Sequence, residues 1–287
     1  MLQLESQLLE KSRLQPIKTV VMAIGGAEDR IQARQILHTF FNRAGSTEAR
    51  IMIIPAASRD PETMGRVYRS IFEEMGAKCV EVLDVRDRQQ SEDPQLLDSL
   101  ENCNGVFMSG GDQLRLCALL ANTPFMEKLR LQIHQGRISL AGTSAGAAVI
   151  GHHMIAAGGS GESPNPSLVD MSIGLGIIPE VIVDQHFHNR NRMARLISAV
   201  AANPRKLGIG IDEDTCAMFE GDGLVQVLGK GTVTIVDPGA VAYSNYAEVG
   251  VRDPISICNL RLHILSHGDR YALHQREVYT QRREHPQ

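Results

Sequence analysis

The stretch of this sequence richest in chemical implication is SLAGTSAGAAVIGHHM at 139–154, where an apolar run stops at Gly-Thr-Ser-Ala-Gly and resumes with small residues. An apolar strand running straight into G-x-S-x-G is the setting in which a serine sits on a tight strand-to-helix elbow and presents its hydroxyl as a nucleophile. Gly142 and Gly146 suit it because side chains there would crowd the turn. The Ala145 N–H would then face the position of an oxyanion. An N-capping role for Ser144 is the bland alternative.

A serine hydroxyl needs an imidazole to take its proton. Of ten histidines, His186 and His188 in VIVDQHFHNRNRMAR stand where a strand gives way to a helix, and His186 is the expected base. His152 and His153 belong to the stretch after Ser144, read as its helix, and are expected to be structural. The His-x-His spacing could also serve a metal ion, but no third ligand falls at a suitable position, so no metal is expected. Two acids compete to orient the imidazole. Glu162 follows the elbow and gives the order Ser, acid, His; Glu213 lies in GIGIDEDTC, where an apolar strand abruptly carries Asp212, Glu213 and Asp214. Buried acids are costly unless paired, which favours Glu213 without removing Glu162.

Other residues would shape the substrate side. SGGDQ at 109–113 ends another apolar run, so Gly110 and Gly111 would let backbone approach a substrate, with the Gly111 N–H a second oxyanion donor beside Ala145. Asp184 and Gln185 precede His186, and Arg190, Arg192 and Arg195 follow it; helical spacing would put His188, Arg192 and Arg195 on one face. A solvated charged face is the ordinary explanation of such a cluster. Beside a catalytic base, the guanidinium groups would bind carboxylates, while Asp112 and Asp184 could hold a cationic group. Gly25 and Gly26 in AIGGAED also follow a strand but lack the spacing of a dinucleotide fingerprint.

Such residues need a scaffold. TVVMAIGG, ARIMIIPAAS, CVEVLDVRD, NGVFMSGGD and RISLAGTS read as strands, each followed by a stretch of helical periodicity, which predicts an α/β fold with a parallel sheet covered by helices on both faces. After a loop at GGSGESPNPS, GIIPEVIVDQ reads as a strand, HNRNRMARLISAVAAN as a helix, and GIGIDEDTCAMFE, LVQVLGKG and VTIVD as strands pairing in hairpins. One domain over 17–274 is expected, with flexible ends at 1–16 and 275–287.

Composition narrows the class. With 43% hydrophobic residues the chain can bury a large core, and a net charge of −4 does not suit a general nucleic-acid binder. Five cysteines without CxxC spacing fit reduced core thiols rather than a disulfide framework. No stretch is apolar enough for a signal peptide or a membrane span, so a cytoplasmic protein is expected.

AIGGAED, MSGGDQLRLC, SLAGTSAGAAVIGHHMIA, VDQHFHNRNRMARL and GIDEDTCAMFE, in that order and at these separations, resemble the landmarks of the cyanophycinases, serine peptidases related to aspartyl dipeptidase (peptidase E). The likeness spans about residues 20–268. It implies an exopeptidase that cuts cyanophycin, a polyaspartate with arginine on each β-carboxyl, into β-Asp-Arg dipeptides through an acyl-enzyme, without metal or organic cofactor. It also implies a flavodoxin-like three-layer sandwich similar to class I glutamine amidotransferases, with hairpins added in the C-terminal half, and a homodimer. Ser144 then matches the nucleophile and His186 the base, with Glu213 and Glu162 both matching proposed acids. Gln113, Asp184, Gln185, Arg190, Arg192 and Arg195 match pocket residues. An aspartyl dipeptidase and a non-catalytic binding protein on the same fold are the alternative readings.

Overall fold

Strand β1 (Val21–Ile24) is buried on both faces, and so are β4 (Gly105–Met108) and β5 (Ser139–Thr143). Continuous apolar runs of this kind are what a sheet covered on both sides requires. The computed structural model describes residues 19–161 and 163–280, except for the side chains of Pro94 and Gln95. With β2 (Arg50–Ile54) and β3 (Cys79–Val82), the three central strands form five parallel strands in the order β3-β2-β4-β5-β1, as the alternation predicts.

Alternate residues serve opposite faces. Met22, Ile24, Ile51, Ile53 and Phe107 pack under α1 (Gln35–Arg43) and α2 (Pro61–Glu74), where Phe40, Phe72 and Phe107 meet edge to face. Val21, Ala23, Met52, Val106 and Met108 face the other side. There the chain supplies α3 (Pro94–Glu101), α4 (Gln113–Leu120) and α5 (Pro124–His134). Asp60, Asp112 and Thr123 cap α2, α4 and α5 with their side-chain oxygens.

The stretch after Ser144 departs from the expected long helix. Helix α6 is one turn, Ala145–Ala148, and the chain re-extends as β6 (His153–Ala157), pairing antiparallel with β7 (Asp170–Ile173). Between α6 and β6, Gly151 lies directly against Val181, where a Cβ would stand 2.2 Å from the Val181 carbonyl oxygen. His152 and His153 therefore lie beyond the elbow helix, at the start of β6.

The second half builds another layer. Strands β8 (Val181–Gln185), β9 (Leu207–Ile211), β12 (Val233–Asp237) and β15 (Arg261–Leu265) form a sheet ordered β15-β12-β9-β8. Its inner face joins the core of the parallel strands, and its outer face, with Ile182 and Val236, is covered by α7 (Met193–Ala202). Beside β1, the first sheet continues with β10 (Thr215–Phe219), β11 (Leu224–Gly229), β16 (Arg270–Ala272) and β17 (Glu277–Tyr279), all antiparallel, making nine strands. A short ribbon pairs β13 (Tyr243–Ser244) with β14 (Ile257–Cys258).

Two expectations change. GIGIDEDTCAMFE is two strands in different sheets, β9 and β10, with the three acids at the crossing. Within 275–287, expected to be a flexible tail, Glu277–Tyr279 is the paired strand β17 and Arg276 holds the buried carboxylate of Asp237, while 281–287 lie outside the described residues. The expected N-terminal extension, 1–16, lies outside the described residues. Among the described residues no helix is long and apolar enough to cross a membrane.

Candidate active site

The carboxyl ends of β1, β4, β5, β8 and β9 converge, which is where open α/β sheets bind ligands. Ser144 follows β5 with φ 53° and ψ −109°, a conformation a non-glycine residue keeps only when its surroundings enforce it. Its N–H donates to the Ile24 carbonyl at 2.9 Å, and its own carbonyl accepts from Ala147 and Ala148, both at 3.0 Å. The glycines of GTSAG are needed for contact: a Cβ on Gly142 would stand 2.2 Å from the Gly146 oxygen, and one on Gly146 2.5 Å from the Met108 oxygen.

His186 arrives from the other sheet, one residue past β8, also at positive φ (49°). Its Nε2 lies 2.9 Å from Ser144 Oγ and its Nδ1 2.7 Å from Glu213 Oε1. A carboxylate only accepts, so the ring proton sits on Nδ1 and Nε2 is left to accept from the serine hydroxyl. Burial pushes the imidazole below its ordinary pKa of 6.5; the bond to Glu213 raises it, and the charges of Arg190 and Arg192 lower it. The result is a neutral base at neutral pH beside a serine that can lose its proton to it.

The acids at the sheet crossing are all engaged. Asp212 accepts from the His188 and Thr232 N–H groups and from His188 Nδ1, Glu213 holds His186, and Asp214 takes the Asp29 N–H and pairs with Lys230. Glu162, the other acid weighed, lies outside the described residues.

A segment set aside in the sequence joins the sheets. In AIGG, Ile24 O accepts from Ser144 N, Gly25 O from His186 N at 2.9 Å, and Gly26 O from Asp214 N at 2.9 Å. Three consecutive carbonyls thus hold the serine, the imidazole and the acidic segment. A Cβ on Gly25 would fall 1.9 Å from the Asp212 oxygen, and one on Gly26 2.4 Å from His186 Cε1. The available signal was a glycine pair directly after a wholly apolar strand.

The expected pocket residues divide into two groups. Asp184 is fully buried; Arg195, itself 6% exposed, grips it through Nε (2.9 Å) and Nη2 (2.5 Å). Arg192 Nη1 reaches the Gln185 carbonyl (2.6 Å), its Oε1 (2.9 Å) and Asp184 (3.3 Å). Asp184 therefore neutralises the protein's own arginines rather than offering a surface for a cationic group. The shared helical face is also absent: His188–Arg190 is a short 3-10 turn, Asn191 is left-handed, and α7 begins at Met193. Arg190 is exposed and Arg192 half-buried. Gln113 donates to the Ile155 and Ala156 carbonyls, tying α4 to β6, and Asp112 caps α4. Gly110 borders the serine, since a Cβ there would lie 3.7 Å from Ser144 Oγ, while Gly111 (φ 144°) packs on the Ala57 carbonyl.

Residues 20–227 match the model of peptidase family S51. The chain belongs to that family. This S51 peptidase, a serine-type enzyme, is 63% identical over 276 residues to the cyanophycinase of Trichormus variabilis, covering 96% of this chain and 93% of that protein. It is 61% identical over 257 residues to the cyanophycinase of Geminocystis herdmanii, covering 90% and 94% respectively. A crystal structure of a peptidase from an acI-B1 Actinobacterium shares its fold, with a TM-score of 0.63 and 24% identity over 88% of this chain and 96% of that one. A putative peptidase E from Listeria monocytogenes EGD-e aligns with a TM-score of 0.50 and 15% identity over 74% and 99%.

Proposed function

We propose that this S51 peptidase hydrolyses cyanophycin to β-Asp-Arg dipeptides by acyl transfer, with Ser144 as nucleophile, His186 as base and Glu213 as its carboxylate partner. The observation that carries the mechanism is the continuous line from Glu213 Oε1 through both ring nitrogens to Ser144 Oγ, 2.7 and 2.9 Å per link. The substrate is supported by 61–63% identity over nearly the whole chain to proteins named cyanophycinase.

Ser144 Oγ attacks an aspartyl backbone carbonyl as its proton passes to Nε2, and the imidazolium then forming is stabilised by Glu213. The Gly111 and Ala145 N–H groups are the proposed oxyanion donors, a contribution of about 100- to 1,000-fold each in comparable sites. His186 returns the proton to the leaving amine, and water, deprotonated by the same imidazole, releases the acyl group. Arg190, exposed beside the base, suits a carboxylate of the substrate, with Arg192 held next to it by Gln185 and Asp184. No step calls for a metal or organic cofactor. The homodimer implied by the family likeness belongs to the same reading, and sedimentation would measure it.

Mass analysis of the products from purified polymer tests the reaction. The wild type is expected to release β-Asp-Arg, and to turn over polymer far faster than α-aspartyl dipeptides. Undiminished release by Ser144→Ala would refute the mechanism, and a preference for the short peptides would refute the substrate.

A further inference from the structure

The loop that bridges the sheets carries a buried acid that the reaction above does not use. Glu28 is 5% exposed; its Oε2 accepts from Thr143 Oγ1 at 2.5 Å and its Oε1 from the Tyr68 hydroxyl. Burial, with Glu28 alongside, pushes the Tyr68 hydroxyl well above its ordinary pKa, so it keeps its proton and donates. Thr143 is likewise a donor here, and the carboxylate accepts from both.

We propose that Glu28 is a positioning residue for Ser144, acting through Thr143 to hold the strained elbow. The inference rests on the reading of Ser144 as nucleophile. Thr143, 3% exposed, is the residue directly before Ser144. On the helix side, the elbow is fixed by the two amides that donate to the Ser144 carbonyl. On the strand side, the side-chain anchor is the Thr143–Glu28 bond. Tyr68 extends the brace, because its ring packs 4.4 Å from that of Phe107 on β4, the strand that leads into Gly110 beside Ser144.

Glu28 also belongs to the segment that positions the other two groups. Gly25 O holds His186 N, Gly26 O holds Asp214 N, and the Asp29 N–H donates to Asp214 Oδ1 at 2.9 Å. The loop continues rigidly, since the Asp29 carboxylate accepts from the amides of Ile31, Gln32, Ala33 and Arg34. One segment therefore sets the relative placement of serine, imidazole and acid. A buried carboxylate contributes little to stability compared with an apolar filler, but two directed hydrogen bonds fix orientation.

Thr143→Val removes the hydroxyl at nearly constant shape, and Thr143→Ser keeps it. Two readouts apply to each: steady-state cleavage of polymer, and the rate at which a fluorophosphonate labels Ser144. Thr143→Val is expected to lower kcat and the labelling rate together by about 10- to 100-fold, with KM within about twofold, the signature of a misplaced reacting group. Thr143→Ser restores most of both rates, and Tyr68→Phe falls between. The proposal is overturned if Thr143→Val labels as fast as Thr143→Ser, if its losses vanish after correction for the folded fraction, or if it is unfolded at the assay temperature, which would assign the network to folding. Ser144→Ala in the same assay separates the two claims. An active Ser144→Ala protein sinks the nucleophile itself; an inactive one beside an unimpaired Thr143→Val sinks only the role of Glu28.

Discussion

The two sheets contribute to the site by different means. The nine-stranded sheet presents Ser144 through main-chain geometry: a strand that stops short, one turn of helix, and glycines that let backbones meet. The four-stranded sheet presents His186 past the end of β8 and reaches Glu213 past the end of β9, with orientation supplied by side-chain bonds and a buried ion cluster beneath. Neither half contains a complete site. Ser144, the proposed nucleophile, takes its backbone conformation from its own strand and helix, whereas the seam at Ile24–Gly26 bonds the backbones of Ser144, His186 and Asp214 and so sets the two sheets in register. Local strain can be encoded in a five-residue motif, but alignment between sheets depends on residues that touch no substrate.

The largest effect should come from the interior of the second sheet. Asp184→Ala leaves Arg195 buried without its partner, and a loss of about 3–5 kcal/mol in denaturant unfolding is expected. A loss under 1 kcal/mol would mean that the cluster is not the support described. At the seam, Gly26→Ala drives a methyl group into the His186 ring, and activity is expected to fall about 100-fold or more while Ser144 keeps its fold context. Retained activity would show that the sheets align without the seam.

The pH profile reads the imidazole and its acid partner in the second sheet. His186 must be neutral to act, and burial lowers its pKa, so the acid limb of kcat/KM should have its midpoint below the ordinary 6.5. Glu213 raises that pKa, so Glu213→Gln should move the limb to lower pH as well as reduce the rate. A limb above 6.5, or a shift to higher pH, would contradict the assignment. The smallest effect belongs to the exposed rim: Arg190→Ala should raise KM for polymer by about 10-fold with little change in melting temperature.

Much of this was legible in the sequence because it is local. The central parallel strands β1, β4 and β5 are fully buried runs, the elbow is a contiguous motif, and the three acids in IDEDT marked a break in a buried run that proved to be the crossing between sheets. What stayed hidden depends on partners distant in the chain. Helical spacing put Arg192 and Arg195 on a face with His188, yet the left-handed Asn191 interrupts the helix and Arg195 turns inward to Asp184. The strand that begins at His153 pairs with β7, a partner that no local pattern encodes. Gly25, Gly26 and Glu28 were visible as residue types, but their role arises only once β1 lies beside both β5 and β10.

The central claim, that an imidazole from one sheet activates a serine from the other, is tested most directly by locating a fluorophosphonate adduct by peptide mass mapping in the wild type and in His186→Ala. A single adduct on Ser144 is expected in the wild type, with labelling slowed about 1,000-fold or more without the imidazole. An adduct on another residue, or labelling of Ser144 at an unchanged rate in His186→Ala, would contradict it.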